Sequence, residues 1–265
     1  MLVKNRTQTF YVLGAIILLA ILLLGFDTKP STQKAFEKSR SLNTREFDIQ
    51  SLQSEGKKGL SKDEMNRIET LEAQIQFGSA DSTSIRLLKE ISGHWFRLGN
   101  PLLAGYYAKK VAEQEQDATS WSITGTTFIS ALNSEGIDER NKEIAKEQAI
   151  EAFENAISLE PDVIEHRINQ ALCYIEYPDA AQPMKGIQML ASLASTNPES
   201  ALPPYHLARL ALKTGQIGKA EERIGQALKI DSTNVKIACL ARDIYRAANK
   251  PDKAEKWAGL CAPMN

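Results

Sequence analysis

The chain repeats itself with a period of a few tens of residues. Such a repeat constrains a fold more than any single motif, because each unit buries its apolar face only against the next copy. The clearest block is residues 201–234, ALPPYHLARLALKTGQIGKAEERIGQALKIDSTN, 34 residues long. Leu207 and Ala208 fall in a first helical stretch, Gly215 marks a turn, and Ala220, Ile224 and Ala227 recur at helical spacing in a second. Asp231 and Asn234 close the block. From Val235 the phase repeats with Tyr245, Asn249, Ala254, Ala258 and Cys261. Upstream, 164–200 shows Ala171, Tyr174, Gly186, Leu190 and Leu193, with about three residues inserted near Pro178–Pro183. In 118–163, Trp121, Gly125 and Phe128 precede Ala149, Phe153, Ala156 and Pro161, with about 12 extra residues around Ser134–Lys146. The first unit, 85–117, carries Trp95, Gly99, Ala104, Ala108 and Val111.

This pattern closely resembles the tetratricopeptide repeat, over roughly 180 of the 265 residues. The resemblance implies an all-α solenoid of about five helix pairs, near 85–117, 118–163, 164–200, 201–234 and 235–265. Physical logic supports it independently. Small residues at Ala149, Ala220 and Ala254 let antiparallel helices approach, and Phe128, Phe153, Tyr174 and Tyr245 are expected to fill the spaces between units. Gly99 and Gly215 are free to adopt the left-handed conformation of a tight interhelical turn.

In that family the first helices line a concave groove that binds extended or helical segments of a partner. Mapped onto this sequence, the groove candidates are Lys89, Arg97, Ser122, Thr126, Asn169, Tyr205, His206, Arg209, Lys213, Lys236 and Arg246. The last two units are rich in cations on this face, with Asp243 as the main opposing charge, so an acidic segment or a C-terminal carboxylate suits them. Some family members clamp such a carboxylate with Lys and Asn at fixed positions. Lys89 matches one position, but Gly93 stands where an Asn is expected and Asn169 alone does not complete a clamp, so that specificity is not carried over.

Cys173, Cys239 and Cys261 form no CxxC pattern, which leaves zinc and thioredoxin-like chemistry unsupported. Cys239 and Cys261 fall on the two helices of one unit. They are either small buried hydrophobes or, outside the cytoplasm, a disulfide.

Before the repeats, Phe10–Phe26 is an uninterrupted apolar run of roughly 17 residues, at the lower edge of what spans a hydrocarbon core of about 30 Å. Its exit, Leu24-Gly25-Phe26-Asp27, offers no small-x-small cleavage site. We read residues 1–9 as a flank and 10–26 as a transmembrane signal-anchor, in preference to a cleaved signal peptide or a core helix. Nearby cations, Lys4 and Arg6 against Lys29, Lys34, Lys38 and Arg40, weakly favour the C-side inside. Long C-terminal domains translocate largely regardless of charge, however. The expected topology puts the N-terminus in the cytoplasm of a bacterial inner membrane and the C-terminal domain in the periplasm. Residues 27–84 read as a polar tether and linker helix. Helix is possible over Arg45–Lys58. Ser61 and Glu64 form a capping box, followed by an apolar face at Met65, Ile68, Leu71 and Ile75.

No catalytic constellation stands out. His94, His166 and His206 have no metal-ligand spacing and read as partly exposed helix residues; Glu221-Glu222 reads as a solvated pair. Thirty-two Lys+Arg balance 33 Asp+Glu, which argues against nucleic acid as the partner. No cofactor, metal or enzymatic activity is expected. The functional expectation is a membrane-tethered protein–protein interaction scaffold or co-chaperone, of the kind found among bacterial envelope proteins. The alternatives are a self-associating envelope component, favoured if the Met65–Ile75 face is bare, and a ligand-binding or enzymatic protein with an unrecognised site.

Overall fold

The computed structural model describes residues 49–75 and 82–261. The apolar run 10–26 and the tether to residue 48 lie outside them. No helix among the described residues is long and apolar enough to cross a membrane. These residues form twelve α-helices and no strand: α1 (Ile49–Lys57), α2 (Lys62–Gln74), α3 (Ser82–Arg97), α4 (Pro101–Glu115), α5 (Ala118–Leu132), α6 (Glu139–Leu159), α7 (Ile164–Glu176), α8 (Lys185–Thr196), α9 (Leu202–Lys213), α10 (Ile217–Ile230), α11 (Val235–Ala247) and α12 (Pro251–Ala258), with a 3-10 turn at Gly259–Cys261. From α3 onward the helices pair in sequence as five hairpins, the architecture of a tetratricopeptide-type solenoid. α3 starts three residues ahead of the expected unit boundary at Ile85.

Three of the five interhelical turns are one device. Gly99 (φ 76°), Gly215 (φ 72°) and Asn249 (φ 55°) take the left-handed conformation. The next amide then reaches back across the turn: Asn100 to the Trp95 carbonyl at 3.0 Å, Gln216 to Ala211 at 2.8 Å and Lys250 to Tyr245 at 2.9 Å. The helix-ending carbonyls are satisfied in the same way each time. The following helices start on Pro101, Ile217 and Pro251. Proline is at ease there because its missing N–H has no partner within the first turn.

The other two turns are longer. Most of the insertion expected around Ser134–Lys146 extends α6, the longest helix at 21 residues, and the rest forms a loop capped by Asp138. The smaller insertion forms the α7–α8 connection, residues 177–184.

Close approach both between and within hairpins uses small residues against rings. An added Cβ on Gly105 of α4 meets the Phe128 ring of α5 at 2.6 Å, and one on Gly125 of α5 meets the Phe153 ring of α6 at 2.5 Å. Ala149, Ala220 and Ala254 are buried, as their role as helix spacers requires. Phe128 and Phe153 fill the core, the half-buried Tyr245 packs against the cluster shared by α9, α10 and α11, and Tyr174 is only half-buried. Tyr174 presents its ring to ammonium groups, with Lys185 Nζ 3.8 Å from the ring centroid.

The helices before the repeats cap the first hairpin. Ser61 and Glu64 make the expected capping box at the start of α2. Ile68, Leu71 and Ile75 are buried in one cluster with Leu87, Leu88, Ile91, Trp95 and Leu103. Full burial of a side chain such as Ile68 is worth about 1.5–3 kcal/mol. The linker face is therefore covered by the solenoid itself, not left bare for a second copy. The Gln53 amide of α1 donates to Tyr107 Oη at 2.6 Å, and the Tyr107 hydroxyl donates to Glu72 of α2 at 2.5 Å. Burial, with that bond to the Glu72 carboxylate, pushes the phenol well above its ordinary range.

At the other end Cys239 of α11 and Cys261 of the final turn form a disulfide, 22 residues apart in sequence. Of the two readings open at that pair, the structure has the bond. Cys173 is a buried free thiol, pushed up to about 12 by burial.

Candidate functional site

The first helices of the hairpins, α3, α5, α7, α9 and α11, carry all eleven groove candidates, and the structure treats the two ends of the array differently. In the first two units the candidates other than Arg97 are neutralised or uncharged. Lys89 bonds Glu115 at 2.7 Å. That bond, seconded by Ser120, holds the Glu115 carboxyl below the usual carboxylate range. Arg97 is exposed with Nη2 3.5 Å from His94 Nδ1. Thr126 donates to the Ile123 carbonyl on its own helix, and Ser122 is half-buried. Asn169 is half-buried on α7.

The last units differ. His206, Arg209 and Lys213 lie on one stripe of α9, at the i, i+3, i+7 spacing of a helix face. They rim a cleft of about 160 Å³ whose remaining walls are Leu172, Ile175 and Glu176 of α7 and Leu210 of α9. Next to it, Tyr205 and Lys236 share a second cleft of about 370 Å³ with Leu202, Asn234, Val235 and Ile237. The Tyr205 and His206 rings meet edge to face, 5.0 Å between centroids. Arg246 is exposed at the far end of α11, in neither cleft.

Charge on this face is poorly balanced. Lys213 reaches Glu176 at 3.8 Å. Arg209, Lys236 and Arg246 have no acid within ion-pair distance among the described residues. Asp243, expected to oppose them, is held instead by its neighbour Arg242 at 2.8 Å. His206 responds to this environment: burial first, then Arg209 and Lys236, push its imidazole down to about 4. It is therefore neutral at pH 7, and its Nδ1 is buried without a partner among the described residues.

Sequence reasoning missed Leu172, Ile175, Glu176 and Leu210. A signal was available, because Asn169, Leu172 and Glu176 form one i, i+3, i+7 stripe on α7. It also expected all three histidines to be partly exposed. His94 and His206 are, but His166 is buried, with Nε2 3.4 Å from Glu160 at the α6–α7 junction. A further cleft of about 470 Å³ opens on the second-helix side, between Glu154, Ile157 and Ser158 of α6, Arg167 and Gln170 of α7, and Met189, Ser192 and Leu193 of α8. No sequence pattern announces it, since its walls come from three helices.

No family model matches the sequence, and no curated protein sequence does. Solved structures align with it at low identity. MamA, residues 41 to the end, from Desulfovibrio magneticus RS-1 is 16% identical with a TM-score of 0.40, over 66% of this chain and 91% of that one. A MamA structure labelled AMB-1 is 14% identical, TM-score 0.36, over 69% and 93%. YrrB, described as a TPR protein with an unusual peptide-binding site, is 13% identical, TM-score 0.36, over 73% and 91%. At such identities and scores the fold assignment stands on the chain's own repeat phase and hairpin geometry.

Proposed function

We propose that this tetratricopeptide-type solenoid is a protein-interaction scaffold that receives a partner segment on its first-helix face, over α7, α9 and α11. The observation that carries the reading is the pairing of an apolar cleft between α7 and α9 with Arg209 and Lys236, cations that find no acid within ion-pair distance among the described residues. A surface that leaves such charge unneutralised beside apolar walls is suited to electrostatic steering and selection of a complementary chain.

The scaffold is tethered, on this reading, by the apolar run 10–26, with the solenoid outside the cytoplasm of a bacterial inner membrane. The length and exit of the run support an anchor. The Cys239–Cys261 bond supports an oxidising compartment, where disulfides persist. Tethering raises the effective concentration of the face toward membrane and envelope proteins, as a co-chaperone or assembly adaptor requires. Self-association by a bare linker helix loses its support, because that face is buried on α3 and α4.

The test is crosslinking in intact cells, capture through a C-terminal tag, mass spectrometry, and protease accessibility on the same preparation. Capture of a few envelope proteins, with loss on reversing Arg209 and Lys213 to Glu at unchanged helicity, supports the reading. Recovery of the protein alone overturns it. A protease-shielded domain on the cytoplasmic side overturns the topology.

A further inference from the structure

We infer that the clefts of α7, α9 and α11 seat a run of side-chain carboxylates from an acidic protein segment, together with one of its apolar side chains, and that His206 takes up a proton as the segment binds. This rests on the interaction-scaffold reading and names the chemistry of its partner.

The cations form a row, not a point. Lys236 opens α11 and lies close enough to His206 to act on its titration, while Lys213 ends α9. His206 and Lys213 are seven residues apart on one helix, about 10 Å along its axis, with Arg209 between them. A single carboxylate, including a chain terminus, is too small to meet both ends. Successive acidic side chains of one segment do so. The apolar walls lie under the same row: Leu172, Ile175 and Leu210 in the first cleft, and Leu202, Tyr205 and the half-exposed Val235 in the second. One aliphatic or aromatic side chain among the acids fits there.

His206 reports occupancy. It faces Arg209, Lys213 and Tyr205 on its own helix, Leu172, Ile175 and Glu176 on α7, and Lys236 on α11. Glu176, the one acid in that set, lies by Lys213. Burial first, then Arg209 and Lys236, disfavour a charged imidazole. A carboxylate seated on the row offsets both cations and so favours the protonated ring. Binding therefore strengthens as pH falls below neutrality, until the ligand's own carboxylates begin to protonate.

The experiment is fluorescence anisotropy on the full-length protein. The probe is a labelled, acetylated and amidated peptide of Asp and Glu around a central Leu, with a Lys-for-acid peptide as control. The acidic peptide is expected to bind, to weaken as salt rises, and to lose about tenfold or more in affinity in the Arg209→Glu/Lys236→Glu variant, whose melting by circular dichroism is checked. Its affinity rises about twofold or more from about pH 7.5 to about pH 6, and His206→Gln flattens that rise while binding persists. Equal binding of the Lys peptide, unchanged affinity in the double Glu variant, or a requirement for a free C-terminal carboxylate overturns the assignment; an unaltered pH slope in His206→Gln overturns the proton linkage. If the double variant still captures cellular partners, the scaffold reading stands and this site falls. If the native protein captures none, the scaffold reading falls, and the peptide result still decides the cleft.

Discussion

The ammonium group of Lys146 meets the carboxylate of Asp179, and this contact joins the two irregular stretches of the repeat array. Lys146 comes from the extended part of α6, and Asp179 from the long α7–α8 connection. Around them, Tyr177 donates to Glu139 at 2.8 Å, and the Lys146 ammonium lies 5.4 Å from the Tyr174 and Tyr177 ring centroids. The two insertions look unrelated in sequence. In space they are one clasp, which fastens the second hairpin to the third. The Lys146 side chain is only 8% exposed, so it depends on its acid and ring partners to offset desolvation.

Lys146→Ala is expected to cost about 1–3 kcal/mol in urea unfolding, as for other buried polar groups that lose a network. Asp179→Asn should cost less, because Asp179 is half-exposed. The double-mutant cycle should show a coupling of about 0.5–3 kcal/mol. A coupling indistinguishable from zero sinks the clasp.

Gly125 and Gly225 make a paired test of helix packing. A Cβ at Gly125 meets the Phe153 ring at 2.5 Å, so Gly125→Ala should destabilise by about 1–3 kcal/mol. Gly225, inside α10, has nothing within 4 Å of an added Cβ. Gly225→Ala should therefore stabilise by about 0.5–1 kcal/mol through helix propensity alone. Thermal melts that move the same way for both variants would contradict the packing described for α5 and α6.

Reduction of Cys239–Cys261 should loosen the C-terminal end before the rest. α12 is eight residues long and has Ala254 as its one buried residue, so the bond does what a longer packed helix would do elsewhere. Closing a loop of this length typically contributes about 2–4 kcal/mol, mainly through the unfolded chain. Hydrogen exchange under reducing conditions should show faster exchange in α12 and the end of α11, with α3 to α6 unchanged. Uniform acceleration along the chain would refute a local role.

The pH dependence of stability should carry a signature of His206. Its folded value, about 4, lies below the ordinary 6.5. Between those values the unfolded chain holds more protons, so stability falls as pH drops through this window and is unaffected by this group above it. His206→Gln should make the decline between about pH 6.5 and about pH 4 shallower. An identical slope in denaturation curves of the two proteins would show that His206 is solvated.

Much of the fold was legible because its determinants are local. The capping box at Ser61 and Glu64 and the left-handed turns at Gly99 and Gly215 each involve residues a few positions apart. The first-helix stripe His206, Arg209, Lys213 was legible for the same reason. Less legible was which charges on that face stay unneutralised. Lys89 and Asp243 look as available in sequence as Arg209, yet one is bound by Glu115 and the other by Arg242. Tyr174, placed between units by its spacing, faces ammonium groups because the insertion brings Lys146 and Lys185 to it.

The order of residues specifies a stack of helical hairpins. A repeated order of small, apolar and turn residues specifies each hairpin through its own backbone, and neighbouring copies through the face each leaves unburied. Tertiary packing set the rest: α1 and α2 cover that face at one end, Cys239 closes on Cys261 at the other, the two insertions clasp each other, and two clefts with cationic rims open along α7, α9 and α11. Each of these depends on how whole helices pack against one another, which many side chains set together and which joins residues twenty or more positions apart that no local pattern relates.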